Sequence, residues 1–200
     1  MGLTRRSGIV RQQEIIEAAK NLISLRGMES VTIDAIAEEV GLSEGAIYRH
    51  FNSKRQILNL LIDDIEITLM RTLKESQVDG KNAMENLELI LSAHFKHVGN
   101  FMTGSFIVIT EAIALDVAGL RGRVSSMLFR YVDFLKGVFE QGIKDGSVRA
   151  DVDPGVAATA FFGLIQSTAT LRALNDYQEP LVEWRNQMWD IYKRGILSDT

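Results

Sequence analysis

The chain has 200 residues, 46% of them hydrophobic, with a formal net charge of −4 and no cysteine. Disulfide frameworks, thiolate zinc sites and cysteine nucleophiles are thereby excluded, and no apolar run reaches the roughly 18–20 residues that a membrane span needs. The opening MGLTRRSGIV lacks the apolar stretch of a secretory signal, so the expectation is a soluble, cytoplasmic protein without a membrane partner, built as one domain or as a small domain joined to a larger one.

Charge is unevenly spread. Residues 1–60 carry eight Lys and Arg against seven Asp and Glu, and residues 61–200 carry fourteen against nineteen, so the acidity belongs to the C-terminal part. Arg5, Arg6 and Arg11 cluster near the start, and Arg49, Lys54 and Arg55 cluster around the stretch GLSEGAIYRHFNSK. Taken alone such clusters are as readily ordinary solvated charge as a binding surface.

In chain order, Ile15, Ala18, Ala19 and Leu22 recur at helical spacing and predict a helix over about residues 9–26, with Gly27 as a left-handed stop. Thr32 can cap a short helix carrying Ile33, Ile36, Ala37 and Val40, which Gly41 ends. Ser43 can cap a second short helix running from Glu44 to about His50. Ser53 and Gln56 have the spacing of a capping box, and beyond them Leu58, Leu61, Ile62, Ile65, Leu69 and Leu73 predict one long helix to about residue 76. After a turn at Asp79 and Gly80, Met84, Leu87, Leu91, Phe95 and Val98 form the next stripe. The run SFIVIT, residues 105–110, can read as strand, but it continues into EAIALD without turn chemistry and is taken as helix. Val124, Leu128, Tyr131, Leu135, Val138, Phe139 and Gly142 predict a further amphipathic helix. Asp153 and Pro154 then start another, to about residue 174. This penultimate helix shows no polar face, which implies burial on two sides. Leu181, Trp184, Met188, Ile191 and Tyr192 form the stripe of the last. The fold class is therefore all-α, with about nine helices.

Two short helices joined by a glycine-bearing turn, TIDAIAEEV, GLS and EGAIYRHF, describe a helix-turn-helix, whose second helix lies in the DNA major groove. Val40, Leu42, Ile47 and Phe51 should pack inward, leaving Glu44, Gly45, Ala46, Tyr48, Arg49 and His50 outward. Gly45 and Ala46 are small enough for close approach, and Ala46 can touch a thymine methyl. Glu44 can accept from a cytosine amine, and Arg49 can donate to guanine or phosphate. A catalytic reading of Ser43, Glu44 and His50 fails, because Ser43 is needed as a cap and His50 lies nearly two turns away.

From Arg11 to Leu58, through IIEAAKNLISLRG, VTIDAIAEEVGLSEGAIYRHF and NSKRQIL, the chain resembles the DNA-binding domain of the tetracycline-repressor (TetR) family, over about a quarter of its length. The resemblance implies a DNA-binding domain over 1–53 and an effector-binding and dimerisation domain over 54–200. It places phosphate contacts on Thr32, Tyr48, His50 and Lys54, beside the Ser43 cap, and base reading on Glu44, Gly45, Ala46 and Arg49. It further implies a homodimer on a near-palindromic double-stranded operator and a repressor released by an effector; the abundance of apolar residues in the middle helices favours a small, largely apolar effector, and no enzymatic activity and no cofactor are expected.

Candidates for the effector pocket are His94, Phe95, Val98, Phe101, Met102, Phe106, Ile109, Ile113, Phe129, Phe161, Phe162, Ile165 and Gln166, with His94, His97, Arg130 or Gln166 as polar anchors. Any one of these apolar residues is more often plain core. Candidates for the dimer interface are Ala160, Gly163, Leu164, Ser167, Leu171, Trp184, Met188 and Ile191. His94 and His97 can share a helix face, but a third ligand is lacking and no metal is expected. The alternative to a regulator is a helical effector-binding or interaction protein without specific operator recognition. An enzyme centred on His94 or Asp116 ranks third.

Overall fold

A computed structural model describes residues 8–51, 53–96, 105, 108–110, 119–174 and 181–198. Among them are eight α-helices: α1 (Gly8–Arg26), α2 (Ile33–Glu39), α3 (Glu44–Tyr48), α4 (Lys54–Glu75), α5 (Ala83–Lys96), α6 (Leu120–Asp145), α7 (Pro154–Leu174) and α8 (Leu181–Ile196), with a 3-10 turn at Met28–Ser30. Of the SFIVIT run, Ser105 and residues 108–110 are helical, as expected. The described residues contain no strand, and their one bridge is an isolated pairing of Val148 with Leu197.

The chain divides into two compact units, Met1–Ile65 with Thr103–Val124 and Glu66–Met102 with Ser125–Thr200. In the first, α1 packs on α2 and α2 on α3. Its core is Ile15, Ala19, Ile23, Ile36, Ile47, Phe51, Ile57 and Leu61, all fully buried. Gly27 ends α1 with φ +79°, its amide donating to Ile23 O at 2.9 Å. Gly41 ends α2 with φ +66°: its amide reaches Glu38 O and that of Leu42 reaches Ala37 O at 2.8 Å, a Schellman pair that only a left-handed residue closes cheaply.

In the second unit α5 packs against α7 and α8, which also pack on each other. Phe161 sits at the centre of an aromatic cluster, edge-on to Phe139, Trp189 and Tyr192. The Tyr192 hydroxyl donates to Ala157 O at 2.7 Å, and burial pushes its pKa well above the ordinary tyrosine value. The stripe of α8 divides between two sides of the helix. Tyr192 joins the aromatic cluster, with Trp189 and Ile196 buried as well, while Ile191 is 76% exposed and Trp184 and Met188 are half-buried in the single chain.

Candidate functional site

Ser43 sets the geometry of the helix-turn-helix. Its backbone is extended (φ −80°, ψ 153°) and its Oγ accepts from the Ala46 amide at 3.3 Å, starting α3 immediately after the Gly41 turn. Thr32 does the same for α2, its Oγ1 accepting from Ala35 N at 3.1 Å. A hydroxyl that accepts in a cap can still donate its own proton outward. Ile47 and Phe51, four positions apart, are fully buried, and α3 packs on α2. Val40 and Leu42 are half-buried rather than inward.

Glu44, Gly45, Tyr48 and Arg49 are exposed and His50 is half-buried. Half of the Tyr48 surface meets solvent. Ala46 departs from expectation. It is only 7% exposed, so its methyl lies on the shoulder of the core face instead of facing outward. The cause is angular: Ala46 precedes Ile47 by about 100° on a helix of five residues, too short to present a broad outer face. Helix α3 also stops at Tyr48, with His50 N donating to Ile47 O at 2.8 Å in the turn that follows. Ser53 starts α4, its Oγ accepting from Gln56 N at 3.4 Å. The Lys54 side chain lies outside the described part of the protein.

Of the residues expected to form an effector pocket, Val98, Phe101, Met102, Phe106 and Ile113 lie outside the described residues, as do His97 and Asp116. Phe95, Ile109, Phe161 and Ile165 are buried, and Phe162 and Gln166 are half-buried. Phe129 must be corrected: it is 73% exposed, on an open groove of about 660 Å³ that it shares with Val132, Lys136, Val156 and Ala160. It lies about 200° around α6 from the buried Tyr131, and so points away from the core. Arg130 is on the surface, paired with Glu66 at 2.6 Å.

His94 is 1% exposed. Its Nδ1 lies 2.8 Å from Ile90 O and its Nε2 lies 2.9 Å from the Tyr131 hydroxyl. A carbonyl only accepts, so Nδ1 carries a proton, while Nε2 shares a hydrogen bond with the Tyr131 hydroxyl, tying α5 to α6. Burial pushes the Tyr131 phenol well above its ordinary value, keeping it a donor. Phe162 meets the same phenol edge-on, with ring centroids 5.5 Å apart. No group of three or more His, Asp or Glu suited to a metal occurs among the described residues, and none of their helices is long and apolar enough to cross a membrane.

The face expected for dimerisation is open in the single chain. On α7, Ala160, Gly163 and Ser167 are exposed, with Leu171 at their end and Leu164 half-buried. Val156, one turn before Ala160, is exposed as well.

Residues 15–61 match the model of the bacterial regulatory proteins, tetR family, and residues 62–195 match that of the YsiA-like protein, C-terminal region. The fatty acid metabolism regulator protein of Bacillus subtilis is 26% identical over 186 residues, covering 93% of this chain and 95% of that protein. The HTH-type transcriptional repressor KstR2 of Rhodococcus jostii is 25% identical, over 80% of this chain and 76% of that one. Among solved structures, the transcriptional regulator FadR from Bacillus subtilis in complex with stearoyl-CoA superposes with a TM-score of 0.80 at 27% identity, covering 92% of this chain and 98% of the other.

Proposed function

Because the chain belongs to the TetR family of bacterial regulatory proteins, we propose that it is a dimeric transcriptional repressor whose hold on a near-palindromic operator is released by a long-chain acyl-CoA. The observation that carries DNA binding is α3 itself: capped by Ser43, fastened by Ile47 and Phe51, and presenting Glu44, Gly45, Tyr48 and Arg49 to solvent. Residues 1–53 act as the DNA-binding domain and residues 54–200 as the effector and dimerisation domain. Tyr48, His50, Thr32 and Lys54 hold phosphates and so orient the reading helix, while Glu44 and Arg49 meet base edges. An acidic group beside phosphates is costly unless a base amine meets it, which makes Glu44 the residue most tied to operator choice.

The acyl-CoA reading is supported by the likeness to the regulator solved with stearoyl-CoA and by the apolar side chains of α5 to α7. Release requires that the ligand prefer the conformation that binds DNA worse. Exposed small residues along α7 support a second copy packing there with its own α7 and α8, by close backbone approach at Ala160, Gly163 and Ser167.

The test is a titration of labelled duplexes, selected from a random pool, at several salt concentrations. Tyr48→Ala and Lys54→Ala should weaken binding to selected and random duplexes alike. Lys54→Ala should flatten the slope of log K against log[salt] by about one unit, whereas Tyr48→Ala, which removes no charge, should lower affinity at an unchanged slope. An unchanged slope in Lys54→Ala and full affinity in Tyr48→Ala would remove those contacts. A ratio near one between selected and random duplexes would favour an effector-binding protein without operator recognition. Stearoyl-CoA, but not free CoA, should release the selected duplex.

A further inference from the structure

One short segment of α4 is gripped by cations from two other helices. Arg123, in the first turn of α6, donates to Asn59 Oδ1 at 2.6 Å and to Asn59 O at 3.5 Å, and pairs with Asp63. Seven residues further along α6, Arg130 pairs with Glu66 at 2.6 Å. Asn59, Asp63 and Glu66 share one face of α4 by their spacing, as Arg123 and Arg130 share one face of α6. From another side Lys20 of α1 holds Asp64 at 2.8 Å, about 100° around α4 from Asp63. Burial alone would lower the Lys20 pKa, but hydrogen bonds to Asp64 and Glu17 outweigh it and the ammonium is held charged.

These contacts are poorly suited to the task of holding α4 down. Ile57, Leu58, Leu61, Ile62 and Ile65 already bury it. The Arg123 and Asp63 side chains are 39% and 42% exposed, and water-screened pairs of this kind add little to folding. Apolar contact has no direction, and so resists separation better than it resists sliding or rotation. A forked guanidinium on two acceptors does have direction. What the cluster fixes is the axial position of α4.

We propose that Arg123, with Asn59 and Asp63, is a register clamp that couples the start of α6 to α4, and that the Lys20–Asp64 pair passes that position on to α1 and the DNA-reading helices. Arg123 is thus a positioning residue for release by ligand, acting through α4, and not for the basal hold on DNA. The proposal rests on the ligand-released reading above and names the residues through which release travels.

Duplex affinity of the full chain, measured with and without stearoyl-CoA, tests it, together with hydrogen exchange of the α4 amides in the ligand-free protein. Wild type should lose about tenfold or more in affinity with the ligand. Arg123→Ala and Asp63→Ala should bind the duplex normally without ligand and bind stearoyl-CoA normally, yet release it by less than about threefold. The exchanged pair Arg123→Asp with Asp63→Arg should restore release. In the ligand-free protein, Arg123→Ala and Lys20→Ala should each speed exchange at residues 56–66 by about threefold, leaving α7 and α8 unchanged. Wild-type release ratios in both single variants overturn the clamp. If wild type ignores stearoyl-CoA, the effector reading fails by itself and exchange decides: unaltered α4 protection in Arg123→Ala overturns the clamp, and accelerated exchange supports it.

Discussion

Gly142 lies on the inner face of α6, where a Cβ would come within 2.5 Å of Val148 Cγ2 and 2.9 Å of Ala83 Cβ. Its own carbonyl accepts from Val148 N at 2.9 Å, so the turn after α6 is drawn tightly across it. Gly142→Ala forces two neighbours apart, and overpacking of this kind costs about 1–3 kcal/mol. Urea unfolding should show a lower midpoint with an unchanged slope. Helical spacing places Gly142 on the apolar face of its helix, but nothing local says that Val148 will fold back onto it. His94 makes a similar point: the residue is conspicuous in the sequence, yet its partner Tyr131 is 37 positions away and settles its structural use. Ala46 and Phe129 are the reverse case, where residue type suggested a role and the turn of the helix by a fraction decided otherwise.

At the scale of elements, the helix starts were legible wherever the cap is local. Thr32, Ser43 and Asp153 all cap as their spacing implied, Asp153 Oδ1 accepting from Val156 N at 2.8 Å. A reciprocal box at the start of α5 was missed although Asn82 and Glu85 stand three apart: Asn82 Oδ1 accepts from Glu85 N, and Glu85 Oε2 from Asn82 N, each at 3.0 Å. Hydrogen bonds from Lys81 and Asn82 hold the Glu85 carboxyl below its ordinary value. The same helix receives a cap that no local pattern foretells. Asp145, at the end of α6, accepts from Ala83 N at 3.1 Å and from Ser147 N at 2.9 Å. Partial burial alone would raise the Asp145 pKa, but the hydrogen bonds from Ser147 and Ala83 outweigh it and hold it below 3.8. A carboxyl depressed on folding stabilises above its unfolded pKa, and that contribution fades as pH falls through the folded value. Asp145→Ala should therefore cost about 1 kcal/mol near pH 7, at the modest end for a cap because solvent screens the group. The gap between variant and wild type should narrow as pH falls below the ordinary carboxylate range, as read by denaturant midpoints at neutral and acid pH.

For the molecule as a whole, the exposed row on α7 bears on assembly. Ala160 and Gly163 are exposed in the single chain, so the fold itself tolerates a larger side chain at either position. In a dimer packed through α7 and α8 the same change buries a charge without a partner. Wild type should sediment as dimer and Ala160→Glu and Gly163→Glu each as monomer, with native helicity and weakened hold on a two-half-site duplex. A dimer persisting in both variants would move the interface elsewhere.

Several features were settled by sequence alone. Helical periodicity, caps within four residues and the glycines that end α1 and α2 give an all-α chain, and they place Ser43, Ile47 and Phe51 at the heart of a helix-turn-helix, because each depends on neighbours in the chain. Tertiary structure decided which of two apolar faces of α8 turns inward, that Phe129 lies on an open groove, that Ala46 withdraws from the reading face, and that Arg123 meets Asp63. Those outcomes depend on partners tens of residues distant and on rotations of about 100° per residue, which composition and spacing leave free until the helices pack.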